Sequence, residues 1–316
     1  MALATPTTAG DTALFAETLR RKRDVKGVAF QAMMLFSLVI TLGVLVVLMF
    51  TVISDGWPVL STRLGDFLTS TLRPNASDAG IVQGLKGTFY LCLIVALVAF
   101  PLGIAAAIYM EEYAPRNRLT SFIQLNIRNL AGVPSVVYGI LGLTIFVKGW
   151  GISSITGGRS PLAGGLTLAA LVLPVVIITA QEAIRATPQA LREAGFGVGA
   201  TKWEVIKDHI LPYASPGILT GTLLSIARAA GEAAPLLLIG TISGIITNSP
   251  PWYDVTQVQD KFTAMPTLIT TWAIQPDTGF SVENAAAAIV ILILFVILLN
   301  SAAIILRNRF EAKRSG

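Results

Sequence analysis

Charge is scarce in this sequence. Lys, Arg, Asp and Glu make up only 13% of its 316 residues, about half of the roughly 25% usual in soluble domains. A soluble fold of this length needs more polar surface than that. Cysteine occurs once, at Cys92, so no disulfide can form within the chain. Histidine also occurs once, at His209, with no second histidine or cysteine group from which to build a metal site. The sequence has no GxxxxGK[ST], HExxH or GxSxG, which excludes a P-loop and two common hydrolytic centres. Gly195, Gly197 and Gly199 form a GxGxG, but no strand precedes it. No enzymatic activity, cofactor or metal is therefore expected of this chain. Nor is nucleic acid: the net charge is +5, but no basic stripe is interleaved with aromatic residues.

Apolar residues, by contrast, make up 53% of the chain, and the mean hydropathy is +0.70. That content excludes disorder. Six runs approach the roughly 20 apolar residues that cross a bilayer. They lie at 28–53, 87–110, 129–147, 160–181, 213–245 and 284–306. The third extends upstream toward Leu119 and encloses Arg128; the fifth holds Arg228 and Glu232 near its middle. The expected fold is all-α, a polytopic membrane bundle of six helices surrounded by lipid. Residues 1–27 form an N-terminal arm, 28–306 the transmembrane domain and 307–316 a tail. The first run is too long for the apolar region of a signal peptide, and no small-x-small site follows it, so it reads as a signal anchor.

Six spans place both termini on one side. Fifteen of the 23 Lys and Arg residues fall on that side and five on the other. The positive-inside rule then puts both termini in the cytoplasm. Residues 54–86 and 254–283 form outward loops; the second contains an uncharged stretch, too short to span, that is expected to dip into the interface. Pro101, Pro134, Pro174, Pro216 and Pro235 fall within spans. Ordinary kinks explain them, and so do breaks along a transport path. Gly217-x-x-x-Gly221 suits close approach of the fifth span to another helix.

Between spans four and five lies AIRATPQALREAGFGVGATKWEVIKDHILPYASPG. Pro188 suits a first helical turn with Thr187 as N-cap. That helix is expected to reach about Phe196 and to be broken by Gly197 and Gly199. Thr201 then caps a second short helix through Ile210. Leu191, Ala194, Trp203 and Ile206 would be available to a partner. A flat helix–turn–helix that docks on a partner and an amphipathic helix lying on lipid fit this pattern equally.

The same stretch resembles the EAA loop of permease subunits in ATP-binding-cassette importers. Glu193, Ala194 and Gly195 stand at the Glu-Ala-Ala, Gly199 at the expected glycine, and Leu211-Pro212 at the closing pair. Gly195 replaces the second Ala, and His209 stands where the pattern has Ile. Other segments are similar to the PstA family of phosphate permeases: ARAAGEAAPLLLIG (227–240), PLGIAAAIYMEEYAP (101–115), AGVPSVVYGILGL (131–143) and FTAMPTLITTWAIQPD (262–277). The resemblance covers roughly 84–307. It implies a permease that moves inorganic phosphate inward, with the loop 187–212 docked on a separate ATPase. The implied partners are a PstC-like second permease, a PstB-like ATPase dimer and a PstS-like phosphate-binding protein on the outer side. Glu193, Ala194, Gly195, Gly199, Leu211 and Pro212 would form the coupling joint. An ion-coupled secondary carrier, or a permease for sulfate, molybdate or phosphonate, is the alternative.

Arg228 and Glu232 are four apart, so on a continuous helix they share a face. Charges at bilayer depth face a cavity or a partner. The planar fork of Arg suits two oxygens of a phosphate, with Glu232 holding the guanidinium while the path is empty. A self-neutralising structural pair fits the same spacing. Arg128 is a second candidate for the path, with a snorkelling interfacial arginine as its alternative. The resemblance implies that Arg228 and Glu232 line the substrate path, with Arg128 as the further candidate.

Overall fold

A computed structural model describes residues 25–149, 152–241 and 260–312. The expected N-terminal arm lies almost wholly outside the described residues, as do the last four residues of the tail. Every element among the described residues is helical. The chain divides into two compact units, Met1–Thr51 and Val52–Gly316.

Helix α1 (Val25–Thr62) begins in the first unit. No charged residue interrupts it between 27 and 54. Its hydroxyls are satisfied locally: Thr41 Oγ1 donates to Ser37 O at 2.9 Å and Thr51 Oγ1 to Val47 O at 3.0 Å. Back-bonding of this kind lets a helix carry Ser and Thr where no water is available.

The second unit starts with the end of α1 and continues through α2 (Leu64–Thr69) and α3 (Val82–Ile108), which a π-helical turn, Tyr109–Tyr113, extends. Next come α4 (Arg118–Ala131), α5 (Ser135–Gly142) with the π turn Leu143–Val147, and the short α6 (Ser153–Thr156). Helix α7 (Pro161–Arg185) starts where Ser160 Oγ accepts the Ala163 N–H, with Pro161 in the first turn. After it lie α8 (Gln189–Gly197), α9 (Lys202–Glu204), α10 (Leu211–Ala230) and α11 (Ala234–Ile239). The last are α12 (Met265–Ala273) and α13 (Ala285–Ala312), which runs past the expected start of the tail at 307.

Five of these helices are long and apolar enough to cross a membrane, or six if one bent pair is counted as a single span. Two expected spans therefore differ from simple rods. The third is broken into Arg118–Ala131 and Ser135–Val147, which meet at 99°. The fifth ends at Ala230 and restarts as α11, while its expected last residues, 242–245, lie outside the described residues. Of the five prolines, only Pro134 and Pro235 stand at breaks. Pro101, Pro174 and Pro216 sit inside continuous helices, where surrounding helices and small backbone adjustments absorb the missing N–H.

Helix α7 is the centre of the bundle. Small residues let its neighbours close on it: a Cβ on Gly103 of α3 would come within 2.6 Å of Val176, and one on Gly217 of α10 within 2.8 Å of Ala183. Gly221 packs as tightly on Thr179, so the expected Gly-x-x-x-Gly contact exists and joins spans five and four.

Three buried clusters follow one another along the bundle. At the end away from α8, Trp272 lies between Phe67 and Phe280, with ring centroids 6.2 and 5.6 Å away. There α12 buries Met265, Leu268 and Trp272, and its first N–H donates to Thr88 Oγ1 of α3 at 2.9 Å. The stretch expected to dip into the interface thus packs into the protein. Arg63 ties this end together, donating to Ala79 O (2.9 Å), Ala76 O (2.6 Å) and Asn284 Oδ1 (2.5 Å). Desolvation lowers its pKa from the usual arginine value, opposed by Asp78, Glu283 and Asp66. A middle cluster joins Leu91, Val95, Leu168, Val172, Ala229 and Leu236. The third, beside α8, joins Ala107, Ile184, Val205, Ile206, Ile210 and Ile218.

Candidate functional site

The loop after α7 folds as two helical arms, with differences of detail from expectation. Pro188, not Thr187, occupies the N-cap of α8, at φ −56° and ψ 135°. Thr187 Oγ1 is buried with no hydrogen-bond partner. The ring of Pro188 fixes φ, and its extended ψ moves the first helical residue to Gln189. Helix α8 stops at Gly197, and Gly199 adopts φ +84° with open space around it. The glycine is required there by backbone conformation, not by crowding. Thr201 caps the second arm as expected. Its N–H donates to Glu204 Oε2 at 2.7 Å, and Glu204 N–H donates to Thr201 Oγ1 at 3.4 Å.

The second arm is not a separate helix. It passes through the π turn Val205–Ile210 straight into α10, as one helix from Lys202 to Ala230. In the π turn, Leu211 N–H bonds to Ile206 O, five residues back. That widening is what a continuous helix needs just before Pro212, which has no N–H to offer the carbonyl of Asp208.

The loop has two faces. Gly195 is buried, and a Cβ there would lie 2.8 Å from Val205. The glycine in place of Ala is therefore matched by a β-branched neighbour. Ile206 is 1% exposed and belongs to the core, so it is not available to a partner; Leu191 is half-buried. Glu193 and Ala194 are exposed, with Phe196 (51%), Val198 (84%) and Trp203 (56%). Apolar side chains are thus left uncovered on the outer face of the loop within this chain. His209 is exposed, and no metal-binding group of His, Cys, Asp or Glu occurs among the described residues.

Ion pairs that the sequence reading missed hold this loop to the bundle. Arg185, at the end of α7, pairs with Glu111 at 2.5 Å. Arg192, in α8, pairs with Glu112 and donates to Ile184 O at 3.0 Å. Lys202 lies 4.9 Å from the centre of the Tyr113 ring. The available signal was the Glu-Glu pair at the end of the second span, facing a loop that contains arginine.

The intramembrane charges sit at the two breaks. Asn117 caps α4, accepting the Thr120 N–H at 2.8 Å, and Arg128 is exposed in its last turn. Arg228 is exposed in the last turn of α10, and Glu232 is half-buried between α10 and α11. Because the helix ends between them, Arg228 and Glu232 do not share a helical face. They form no ion pair among the described residues. A cation in the last turn suits the negative end of a helix dipole at both breaks.

The two breaks meet each other. A Cβ on Gly139 of α5 would lie 2.7 Å from Pro235 Cα, and Tyr138, Ala229 and Leu236 share the middle cluster, with Val133 packed against it. Tyr138 Oη donates to Leu130 O at 2.9 Å, satisfying a carbonyl that the end of α4 would otherwise leave free. Gln124 and Gln181 exchange two hydrogen bonds of 2.9 Å, joining α4 to α7.

A bundle of apolar crossing helices, two of them interrupted beside an arginine, with a helical loop standing out at one end, defines a multi-span membrane protein of the type I permease fold. Residues 99–316 match the family described as "Binding-protein-dependent transport system inner membrane component", and the chain belongs to that family. It is 36% identical over 188 residues to "Probable ABC transporter permease protein YqgI" of Bacillus subtilis (strain 168), a match covering 59% of this chain and 62% of that one. The chain thus spans less than two thirds of that relative's length. It is 36% identical over 225 residues to "Phosphate transport system permease protein PstA 1" of Mycobacterium tuberculosis (strain ATCC 25618 / H37Rv), covering 70% of each. With "Phosphate transport system permease protein PstA" of Mycobacterium leprae (strain TN) it shares 33% over 261 residues, covering 81% and 80%. In fold it is similar to a chain of the inward-facing MetNI methionine ABC transporter (CY5 SeMet soak crystal form). There the TM-score is 0.55 at 15% identity, covering 73% of this chain and 95% of that one.

Proposed function

We propose that this chain is the permease subunit of an ATP-binding-cassette importer that carries inorganic phosphate across the bacterial cytoplasmic membrane. The observation that carries the reading is the two-faced loop at α8. Its inner face is bonded to the ends of α3 and α7, while Glu193, Ala194 and Phe196 on α8, and Val198 just after it, are left exposed. A separate ATPase dimer docks on that face, with Glu193, Ala194, Gly195 and Gly199 forming the joint and Leu211-Pro212 leading the movement into α10. Both termini and the loop lie in the cytoplasm. A second, PstC-like permease completes the path, and a phosphate-binding protein delivers substrate from outside. Similarity to phosphate permeases supports the choice of anion. Arg228, with Arg128 and Glu232, meets it at the breaks, where the arginine fork can hold two oxygens.

The test is purification of the tagged chain in mild detergent, followed by reconstitution of whatever co-purifies into liposomes. An ATPase and a second permease should co-purify, and the liposomes should take up phosphate-32 only with ATP and binding protein. Uptake driven by an ion gradient without ATP would overturn the reading. Preference for sulfate over phosphate would overturn the choice of anion.

A further inference from the structure

We propose that the Glu112–Arg192 ion pair is the link through which movement of α8 reaches the second span, so that both are positioning residues for transport. This rests on the reading of α8 as the ATPase-docking helix. Three spans end near α8: the second at the π turn Tyr109–Tyr113, the fourth at Arg185, and the fifth at its extension from Lys202. The fourth and fifth are joined to α8 by short stretches of chain and must follow it. The second has no such covalent connection. Whatever brings it along must be a non-covalent contact.

The contacts of α8 narrow the choice. The helix has nine residues, and Gly195 alone is fully buried. Its apolar packing is too thin to resist being pulled away. Packing also transmits a push better than a pull, because dispersion contacts are lost within a fraction of an ångström of separation. Glu112 and Arg192 supply a bond that resists both. Their side chains are 9% and 18% exposed, so solvent screens the pair less than a surface one. Arg192 also donates to Ile184 O, which binds the end of α7 into the same joint. The neighbouring Glu111–Arg185 pair differs: Arg185 is 56% exposed, and a pair so open to water holds little. The Lys202–Tyr113 contact joins the second span to the fifth and does not touch α8.

The experiment uses the whole complex in lipid nanodiscs and liposomes, in a Cys92→Ala background. Spin labels are attached through Leu97→Cys on α3 and Ala190→Cys in the first turn of α8, both exposed positions outside the named joint. With the link intact, the distance between the labels should stay the same through the ATP cycle. In Glu112→Gln it should broaden and shift with ATP, and ATP hydrolysed per phosphate-32 accumulated should rise about tenfold, a mid-range coupling. The swap Glu112→Arg with Arg192→Glu should restore the fixed distance. Arg192→Lys keeps the charge and serves if Glu112→Gln fails to assemble; it should loosen the distance part-way, because it cannot also hold Ile184 O. Lower protein abundance with an unchanged distance and ATP ratio in these variants would overturn the link, leaving a pair that only stabilises the fold. A wild-type complex that hydrolyses ATP without accumulating phosphate would overturn the choice of anion instead, and the label distances would still decide the link.

Discussion

The third and fifth spans stop in the same way and then behave differently. Each has an arginine in its last turn, a glycine directly after it ends and a proline where it restarts. Yet α4 buries none of its residues and meets α5 at 99°, whereas α10 buries seven and lies tightly along α7. Glycine and proline decide only that a helix ends. The packing of the two halves decides what the break does next. Helix α10 sets Gly217 and Gly221 against Ala183 and Thr179 of α7, so its end, and with it Arg228, is closely held. Helix α4 reaches α7 through the Gln124–Gln181 pair, so Arg128 stands on a more loosely held element.

That contrast gives the largest expected effect. Arg228→Gln should cut phosphate-32 uptake about a hundredfold, the size of losing one preorganised donor to an anion, while the amount of assembled complex stays normal. Arg228→Lys should be intermediate, since an ammonium lacks the bidentate fork. Arg128→Gln should cost clearly less. No ion pair joins Arg228 to Glu232, so Arg228→Gln with Glu232→Gln should not recover uptake. Recovery in that double variant, or equal losses at the two arginines, would erase the distinction between the breaks.

A smaller effect is expected where the breaks touch. Gly139→Leu would push a side chain into the backbone of Pro235 and should destabilise the complex by about 1–3 kcal/mol, as overpacking does. Gly132→Ala should be tolerated, because its Cβ would meet nothing nearer than Asn129 O at 3.5 Å. Thermal inactivation of the purified complex measures both, and equal sensitivity would mean that the contact between the breaks is not what holds them.

The smallest effect concerns the attachment of α4. Gln124→Leu removes a reciprocal hydrogen-bonded pair and should cost about 0.6 kcal/mol, the average for such bonds between membrane helices. Denaturation of the complex in mixed micelles should detect it. A cost of several kcal/mol would show that α4 is held as firmly as α10.

Much of this architecture is legible in residue order. Long apolar runs can satisfy their backbones in lipid only as helices, so positions 28–53, 87–110, 160–181 and 284–306 each declare a span without reference to any neighbour. The loop was readable for the same local reason. Thr201 and Glu204 cap a helix through groups three residues apart, and Gly199 marks a backbone turn that other residues resist. Glu193, Ala194 and Gly195 are singled out by the resemblance to the EAA loop rather than by those local signals, and the inward turn of Ile206 by neither.

Distant partners are what residue order leaves open. A hydropathy window sums over a stretch and is blind to direction, so it joins α4 to α5 and α10 to α11 across turns that three residues make. Five prolines look alike in sequence, but Pro101, Pro174 and Pro216 sit inside continuous helices while Pro134 and Pro235 stand at real ends. The spacing of Arg228 and Glu232 promised a shared face only on a continuous helix. Glu112 and Arg192 are 80 residues apart, and nothing near either one names the other. Local chemistry determines where helices form and stop, because caps, glycines and apolar runs act within a few residues. Which ends meet, and which charges pair, is settled when α3, α4 and α10 close on α7, because those contacts join residues that the chain keeps far apart.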